Sequence, residues 1–233
     1  MKWSGRKIAG LGCGVLVVAA VAVAGALTWY SARISSEYKK VKQSEQTLVA
    51  ATAPLSAFVA PPDDLPAPDR LEAFAGVREA TGEWRTRLAS EDRAFAADQG
   101  GWWGRAGGAQ DLAQVMAGFW QSRNEALAAA AMGPGEYVWL YGLVYYGWLG
   151  HDPSAGRQTG LPSGGAAAKA NDDRFEGLRV QWQGGVSTEA AARLEPLRDR
   201  LTAGWNEDTN PVELIFIADT VEEVPTGKVA NDK

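Results

Sequence analysis

The segment from Ile8 to Tyr30 constrains this chain most, because it contains no charged residue. An α-helix needs about 20 predominantly apolar residues to cross a bilayer. Lys2, Arg6 and Lys7 precede the segment, and a short basic tail before a first span usually stays on the cytoplasmic side. We therefore predict a cytoplasmic tail and transmembrane anchor at residues 1–30, in a single-pass protein of the bacterial inner membrane whose main domain is periplasmic.

A cleaved signal peptide is the alternative interpretation of the same segment. Both Ala22-Val23-Ala24 and Ala24-Gly25-Ala26 match the small-x-small pattern of a cleavage site. The apolar stretch is long for a signal peptide, which favours a retained anchor. Basic residues such as Arg33 and Lys39 also follow the segment, so the charge rule is nearly balanced and the orientation depends on the short basic tail.

The predicted span carries features that suit contact with other helices. Gly10 and Gly14 form a G-x-x-x-G pattern, which lets a second helix approach closely in lipid. Trp29 lies at the end of the span, where aromatic rings favour the headgroup level. Glycine is also common in membrane helices in general, so the pattern alone leaves both interpretations open. We predict that Gly10, Gly14 and Trp29 contact an integral membrane protein complex.

Beyond the anchor the chain is acidic. The whole chain has 23 Lys and Arg residues against 28 Asp and Glu residues. Without Lys2, Arg6 and Lys7, residues 31–233 have 20 basic against 28 acidic side chains, which is a formal charge of −8. An acidic domain is a poor match for nucleic acid or for anionic lipid surfaces. We therefore predict no nucleic-acid partner.

Residues that support common catalytic and metal chemistry are scarce. The only cysteine, Cys13, lies inside the predicted span, and the only histidine is His151. Most acyl-transfer and metal-dependent mechanisms rely on these two residue types. Adjacent carboxylates such as Asp63-Asp64 do not provide the facing pair that a glycosidase needs. We therefore predict a protein that is not an enzyme and that has no catalytic residue, metal site or cofactor.

Helical periodicity and proline content divide the remaining chain. Tyr38, Val41, Glu45 and Leu48 recur at helical spacing, whereas five prolines interrupt residues 54–68. We predict an all-α fold, in which one N-terminal transmembrane helix precedes an extramembrane bundle of four to six helices with long irregular loops. The predicted boundaries are a stalk helix at 31–53, a Pro-rich linker at 54–68, a helical extracytoplasmic domain at 69–219 and a polar tail at 220–233. The alternative for 31–53 is the first helix of the bundle.

Within the domain, residues 136–149 are apolar on nearly all sides of a helix. Such a helix is usually central to a core, and a membrane-surface or partner-binding segment is the alternative. Glycine and other small residues predict loops at 99–110 and 150–173. The other predicted helices are 69–97 with a bend at Gly82, 111–131, 186–205 with a kink at Pro196, and a short one at 210–213.

Trp102 and Trp103 lie in the first of these predicted loops. Tryptophan is over-represented among the residues that dominate binding energy at protein interfaces. We predict that both side chains contact a partner outside the membrane. Packing of the two rings back onto the core is the alternative.

Two stretches of the chain resemble uncharacterised single-span bacterial envelope proteins. They are residues 68–79, PDRLEAFAGVRE, and residues 132–140, MGPGEYVWL. The general build, one span with a Trp-rich helical outer domain and no active site, is also similar to that of the membrane-extrinsic accessory subunits of bacterial reaction-centre–light-harvesting photosystems. That similarity implies a photosystem as the partner complex.

The sequence thus favours a non-enzymatic, membrane-anchored accessory subunit that braces a larger membrane protein complex from the periplasmic side. The alternative is an envelope sensor or ligand-binding module. Its pocket would be apolar and aromatic, with Tyr137, Trp139 and Tyr141 in its lining.

Overall fold

A computed structural model describes residues 35–97, 102–156 and 166–216, with the side chains of 102–106 and 166–172 left out. All regular structure within these ranges is helical, which confirms the all-α prediction. Gly10, Gly14, Trp29 and the rest of the predicted anchor lie outside the described residues, as does the predicted polar tail. Among the helices that are described, none is both long and apolar enough for a membrane span.

The described helices outnumber the predicted four to six, because two predicted helices are divided and the helix Ala166–Trp182 was not predicted. Residues 69–97 break at Thr81, and residues 186–205 pass through a 3-10 turn that contains Pro196. The helices are α1 (35–51), α2 (Pro68–Ala80), α3 (Gly82–Ala97), α4 (Trp102–Ala129), α5 (Pro134–Tyr141), α6 (Ala166–Trp182), α7 (Thr188–Leu194), α8 (Arg198–Ala203) and α9 (Asn210–Glu213), with 3-10 turns at Leu55–Ala57 and Glu195–Leu197 and a π-helix at Gly142–Trp148.

Helix α1, the predicted stalk, is part of the domain. Val41 and Leu48 on its apolar stripe are buried in the two hydrophobic clusters of the domain. The Pro-rich segment that follows crosses the domain surface, where Leu55 and Phe58 pack against the main cluster. The described part of the predicted stalk therefore belongs to the core of the domain.

The predicted loop at 99–110 is wrong, because α4 begins at Trp102. Glycine disfavours helix by about 1 kcal/mol per residue, but here it permits a close approach between helices. A Cβ atom at Gly108 would lie 3.2 Å from Cδ2 of Phe95 on α3. Contact between α3 and α4 therefore outweighs the weak helix propensity of the Gly-rich sequence.

The predicted loop at 150–173 is also too long, because α6 begins at Ala166. An alanine-rich start favours helix, and the later turns of α6 bury Phe175, Leu178 and Trp182 in the main core. The periodicity of these three residues was the signal available in the sequence for this helix.

The main core surrounds α5 and the π-helix, as the apolar stretch 136–149 predicts. Residues of both segments are buried on every side, among them Leu140, Leu143 and Val144. Helices α2, α6, α7 and α8 contribute the surrounding side chains, and a smaller cluster joins α1, α3 and α4. The π-helix allows Gly142 and Gly147 to lie directly against Trp182, since a Cβ atom at either position would come within about 3 Å of the indole.

Candidate functional site

The core contains an ion pair between Arg78 on α2 and Glu213 on α9. The apolar stripe of α2 carries Arg78 into the interior, where its side chain is 1% exposed and that of Glu213 is 0% exposed. Arg78 Nη1 donates to Glu213 Oε2 at 2.7 Å, and Nη2 donates to Oε1 at 2.9 Å. This two-bond geometry is the one in which an arginine recognises a carboxylate most strongly.

The remaining donors of Arg78 are also satisfied within the core. Nη1 donates to the Tyr137 hydroxyl at 2.6 Å, Nε donates to the Tyr145 hydroxyl at 3.0 Å, and Nη2 donates to the Gly204 carbonyl at 2.6 Å. The Tyr137 hydroxyl in turn donates to Glu213 Oε2 at 3.0 Å. All five N–H groups of the guanidinium therefore have partners, which is the condition for a buried charge to be tolerated.

The ion pair determines the charge state of both members. Burial alone would raise the pKa of Glu213, but the guanidiniums of Arg78 and Arg85 and the hydrogen bonds from Arg78 and Tyr137 outweigh burial, so its pKa is lowered. Burial alone would lower the pKa of Arg78, but Glu213 outweighs it and the pKa is raised. Both groups are consequently charged at neutral pH.

Two further arginines tie α9 to its neighbours. Arg123 on α4 donates to the carbonyls of Glu213 at 2.7 Å and Ile215 at 2.9 Å, and its guanidinium carbon lies 3.9 Å from the Phe216 ring centroid. Arg85 on α3 donates to Thr81 Oγ1 at 2.7 Å and lies 4.0 Å from Glu213. Helices α2, α3, α4 and α9 thus converge on one buried polar network.

The π-helix adds a second buried polar centre at Asn210. Residues five apart lie above one another in a π-helix, as the 2.9 Å bond from the Leu149 N–H to the Val144 carbonyl shows. Tyr141 and Tyr146 are five apart, and both hydroxyls donate to Asn210 Oδ1, at 3.1 and 2.8 Å. Ordinary α-helical geometry would separate these two side chains.

The amide group of Asn210 extends this second centre to a surface loop. Asn210 Nδ2 donates to the carbonyls of Pro153 at 3.1 Å and Ala155 at 2.9 Å. One buried side chain therefore connects α9, the π-helix and the loop that follows it. The side chains of Arg78, Asn210 and Glu213 are fully buried, so these polar groups hold parts of the fold together and do not line an open site.

His151 lies at the edge of the core, directly after the π-helix. Its ring stacks on Trp205 with centroids 4.2 Å apart and an angle of 3° between the planes. Burial lowers the pKa of His151, although Glu207 acts in the opposite direction, so the imidazole is neutral at neutral pH. Within the described ranges, no three His, Cys, Asp or Glu side chains cluster closely enough to hold a metal ion.

A polar groove is open on the surface between α1, α3 and α4, with a volume of about 410 Å³. None of the residues that line the groove belongs to the buried network of Arg78, Arg123 and Glu213. We call it the surface groove. Its lining consists of Glu37, Trp84, Arg87, Gln114, Val115, Gly118, Gln121, Ser122 and Glu125.

The predicted partner-binding residues are only partly placed by the fold. Trp102 and Trp103 form the first turn of α4, and their side chains lie outside the description. The residues of the alternative aromatic pocket are in the core, because Tyr137 and Tyr141 are fully buried and Trp139 is 6% exposed. Neither the surface groove nor the smaller cavity beside Phe58 is lined by these three residues.

Reasoning from sequence missed the buried network. Charged residues of an amphipathic helix are expected on its solvent face, yet Arg78 follows Phe74 by four residues and shares its face. Glu213 likewise lies between Val212 and Leu214, inside an apolar run. A charge within an otherwise apolar stripe was the available signal for both residues.

No protein-family model, curated protein or solved structure matches this chain. The resemblance to single-span envelope proteins therefore stays a prediction. The two stretches that carry it do meet in the fold, because Arg70 donates two hydrogen bonds of 2.7 Å to Glu136. The rings of Phe74 and Tyr137 also pack with centroids 5.6 Å apart.

Proposed function

We propose that the chain is a non-enzymatic, membrane-anchored accessory subunit that braces a larger membrane protein complex from the periplasmic side. The uncharged run from Ile8 to Tyr30 carries this proposal, since a span of that length places the domain at a bilayer. Only residues 31–34 separate Tyr30 from the described part of α1. Even fully extended, that connection reaches roughly 20 Å, so the helical domain stays close to the membrane surface.

The buried network supports a bracing role. Arg78, Arg123 and Glu213 connect α2, α4 and α9 through hydrogen bonds of 2.6 to 2.9 Å, one of which reaches the Gly204 carbonyl after α8. Asn210 connects the π-helix to its following loop. A domain held in one conformation loses little conformational entropy when it binds a partner. Such a domain suits a permanent structural contact.

The partner in this proposal is an integral membrane complex whose outer surface is complementary to an acidic domain. The general build favours a photosynthetic reaction-centre–antenna complex as the specific partner. Gly10 and Gly14 would contact its helices in lipid, and Trp102 and Trp103 would contact it outside.

The variant Trp102→Ala/Trp103→Ala tests the outer contact. If the two rings are central to the interface, their loss weakens the complex by about 2–4 kcal/mol, and the partner is lost during washing of the tagged full-length chain. The control is Val59→Ala, which truncates an apolar side chain that is 85% exposed elsewhere on the domain. Equal recovery of the partner with the double variant and with the control would contradict the proposed contact.

A further inference from the structure

The outward side of α1 carries positive charge and no negative charge. Its residues recur at helical spacings of three and four, so they share one face of the helix. We call this the basic face of α1, and it consists of Lys39, Lys42, Gln43 and Gln46. Lys42 is partly exposed and the other three are exposed. The opposite side of α1 is fixed in the domain, because Val41 and Leu48 are buried in the two hydrophobic clusters.

Both carboxylates of the described part of α1 lie away from this face. Glu45 is 1% exposed. Glu37 lines the surface groove, and Lys40 pairs with it at 2.8 Å between Nζ and Oε1. The charge of Lys40 is therefore balanced within α1, whereas nothing on the helix balances the two lysines of the basic face.

Lys39 and Lys42 also differ from the exposed arginines of the domain. Neither lysine forms an ion pair with any residue that the structure describes. Elsewhere on the described surface, arginines are paired with Glu or Asp, as is the case for Arg70, Arg93, Arg179, Arg193, Arg198 and Arg200. The basic face is therefore free to bind an anion from outside the chain.

The position of α1 in the chain indicates which anion this is. Only residues 31–34 separate the predicted anchor from the described part of α1, and this connection contains one more basic residue, Arg33. Anionic lipid headgroups attract clusters of Lys and Arg that directly adjoin a membrane span. The attraction acts within a Debye length of about 10 Å, which the short connection allows α1 to reach.

We propose that the basic face of α1 lies on the bilayer and binds anionic phospholipid headgroups. Lys39 and Lys42 donate charge-assisted hydrogen bonds to the phosphate oxygens, and the amides of Gln43 and Gln46 donate further ones. The domain as a whole is acidic, so an anionic bilayer attracts this face and repels the others. This inference rests on the proposed membrane anchor, and it adds the lipid class that is bound and the side of the domain that faces the membrane.

Fluorescence quenching on the full-length chain in nanodiscs tests the proposal. Gln46→Cys, in a Cys13→Ala background, carries a polarity-sensitive fluorophore on the basic face, and the quencher is a lipid with a spin label on its headgroup. The discs contain phosphatidylcholine alone or phosphatidylcholine mixed with phosphatidylglycerol. We expect phosphatidylglycerol to raise the ratio of docked to undocked chains by at least about tenfold. High salt should reverse the increase, because it screens the charges.

Two charge variants assign the effect to the basic face. Lys39→Gln/Lys42→Gln should reduce quenching in the mixed discs to the level seen in phosphatidylcholine alone. The matched control is Arg179→Gln/Arg198→Gln, which changes the net charge equally at exposed positions on α6 and α8 and should leave quenching in the mixed discs unchanged. Equal melting temperatures of the two variants would separate loss of lipid binding from loss of folding.

Co-elution of the chain with the nanodiscs separates this inference from the proposed function. A chain that does not co-elute with discs of either composition would contradict the predicted anchor and the lipid contact together. A chain that co-elutes but is quenched equally in both kinds of disc would overturn the lipid contact alone. The same conclusion would follow if the lysine variant were quenched as strongly as the arginine control.

Discussion

At the scale of single residues, two of the buried carboxylates, Glu213 and Asp92, have opposite surroundings. Glu213 is paired with Arg78 and accepts further hydrogen bonds. Asp92 on α3 is 1% exposed, and its Oδ1 atom accepts no hydrogen bond. Burial disfavours the charged form of both carboxylates, but only Glu213 has cationic partners that outweigh it, so the pKa of Glu213 is lowered and that of Asp92 is raised.

Replacement of Arg78 by Met should destabilise the domain strongly. The change leaves the carboxylate of Glu213 buried without its main partner, and loss of one member of a buried pair typically costs about 3–5 kcal/mol. Urea unfolding at neutral pH measures the loss. The matched control is Arg200→Met, because Arg200 forms exposed pairs with Glu72 and Glu79, and loss of exposed pairs should change the free energy of unfolding far less. Equal losses in the two variants would contradict the account of the buried network.

Replacement of Asp92 by Asn should stabilise the domain near neutral pH. Burial and the nearby Asp208 raise the pKa of Asp92 to about 6, although Arg93 acts in the opposite direction and pairs with Asp208 at 3.0 Å. Between about pH 4 and pH 6, Asp92 therefore keeps its proton in the folded chain but has lost it in the unfolded chain. The stability that this proton supplies is present at low pH and is lost as pH rises through that window.

The measurement is the difference in unfolding free energy between Asp92→Asn and wild type. We expect it to be small near pH 4, to grow up to pH 6 and to level off above, at no more than about 3 kcal/mol. The comparison at each pH removes the contribution of other titrating groups. A difference that is independent of pH would show that Asp92 titrates normally in the folded state.

At the scale of helices, the apolar period alone predicted where most segments form. The stripe with Leu71, Phe74 and Leu88 predicts α2 and α3, and all three residues are buried. Residues 136–149 were expected in the core because they are apolar on all sides, and they lie there. Hydrophobic burial dominates in these stretches, so a one-dimensional pattern contains the necessary information.

The apolar pattern did not predict where glycine packs closely against a neighbouring helix. Gly108 lies under Phe95, and Gly142 lies against Trp182. In both cases the glycine is placed by a contact that is distant in sequence, whereas propensity reports only the local cost. The π-helix likewise makes contacts that are distant in sequence, since its register brings the hydroxyls of Tyr141 and Tyr146 to Asn210.

Gly142→Ala should therefore destabilise the domain. The new Cβ atom would lie 2.7 Å from both Leu178 Cδ2 and Trp182 Nε1, and overpacking of a core typically costs about 1–3 kcal/mol. The matched control is Gly177→Ala in the middle of α6, where no atom lies within 4 Å of the new Cβ. That change should stabilise by up to about 1 kcal/mol. Thermal unfolding of both variants checks the signs, and a stabilising Gly142→Ala would contradict the packing described.

At the scale of the whole molecule, the chain combines a predicted anchor with a tightly connected helical domain. Sequence alone predicted the all-α fold class and the amphipathic character of α1. It could not predict the network of Arg78, Arg123 and Glu213, because a charge is read as exposed unless its partner is known. That partner lies 135 positions away in the case of Arg78 and Glu213. The surface groove was missed for the same reason, since three separate helices supply its walls.

The most direct test of the proposed function is purification of the full-length chain from its native membranes in a mild detergent. The measured quantities are the proteins recovered with it, their stoichiometry and the absorption spectrum of the sample. The account predicts stoichiometric recovery with a large integral membrane complex, and pigment absorption if that complex is a photosystem. Recovery of the chain alone, as a colourless monomer, would contradict it.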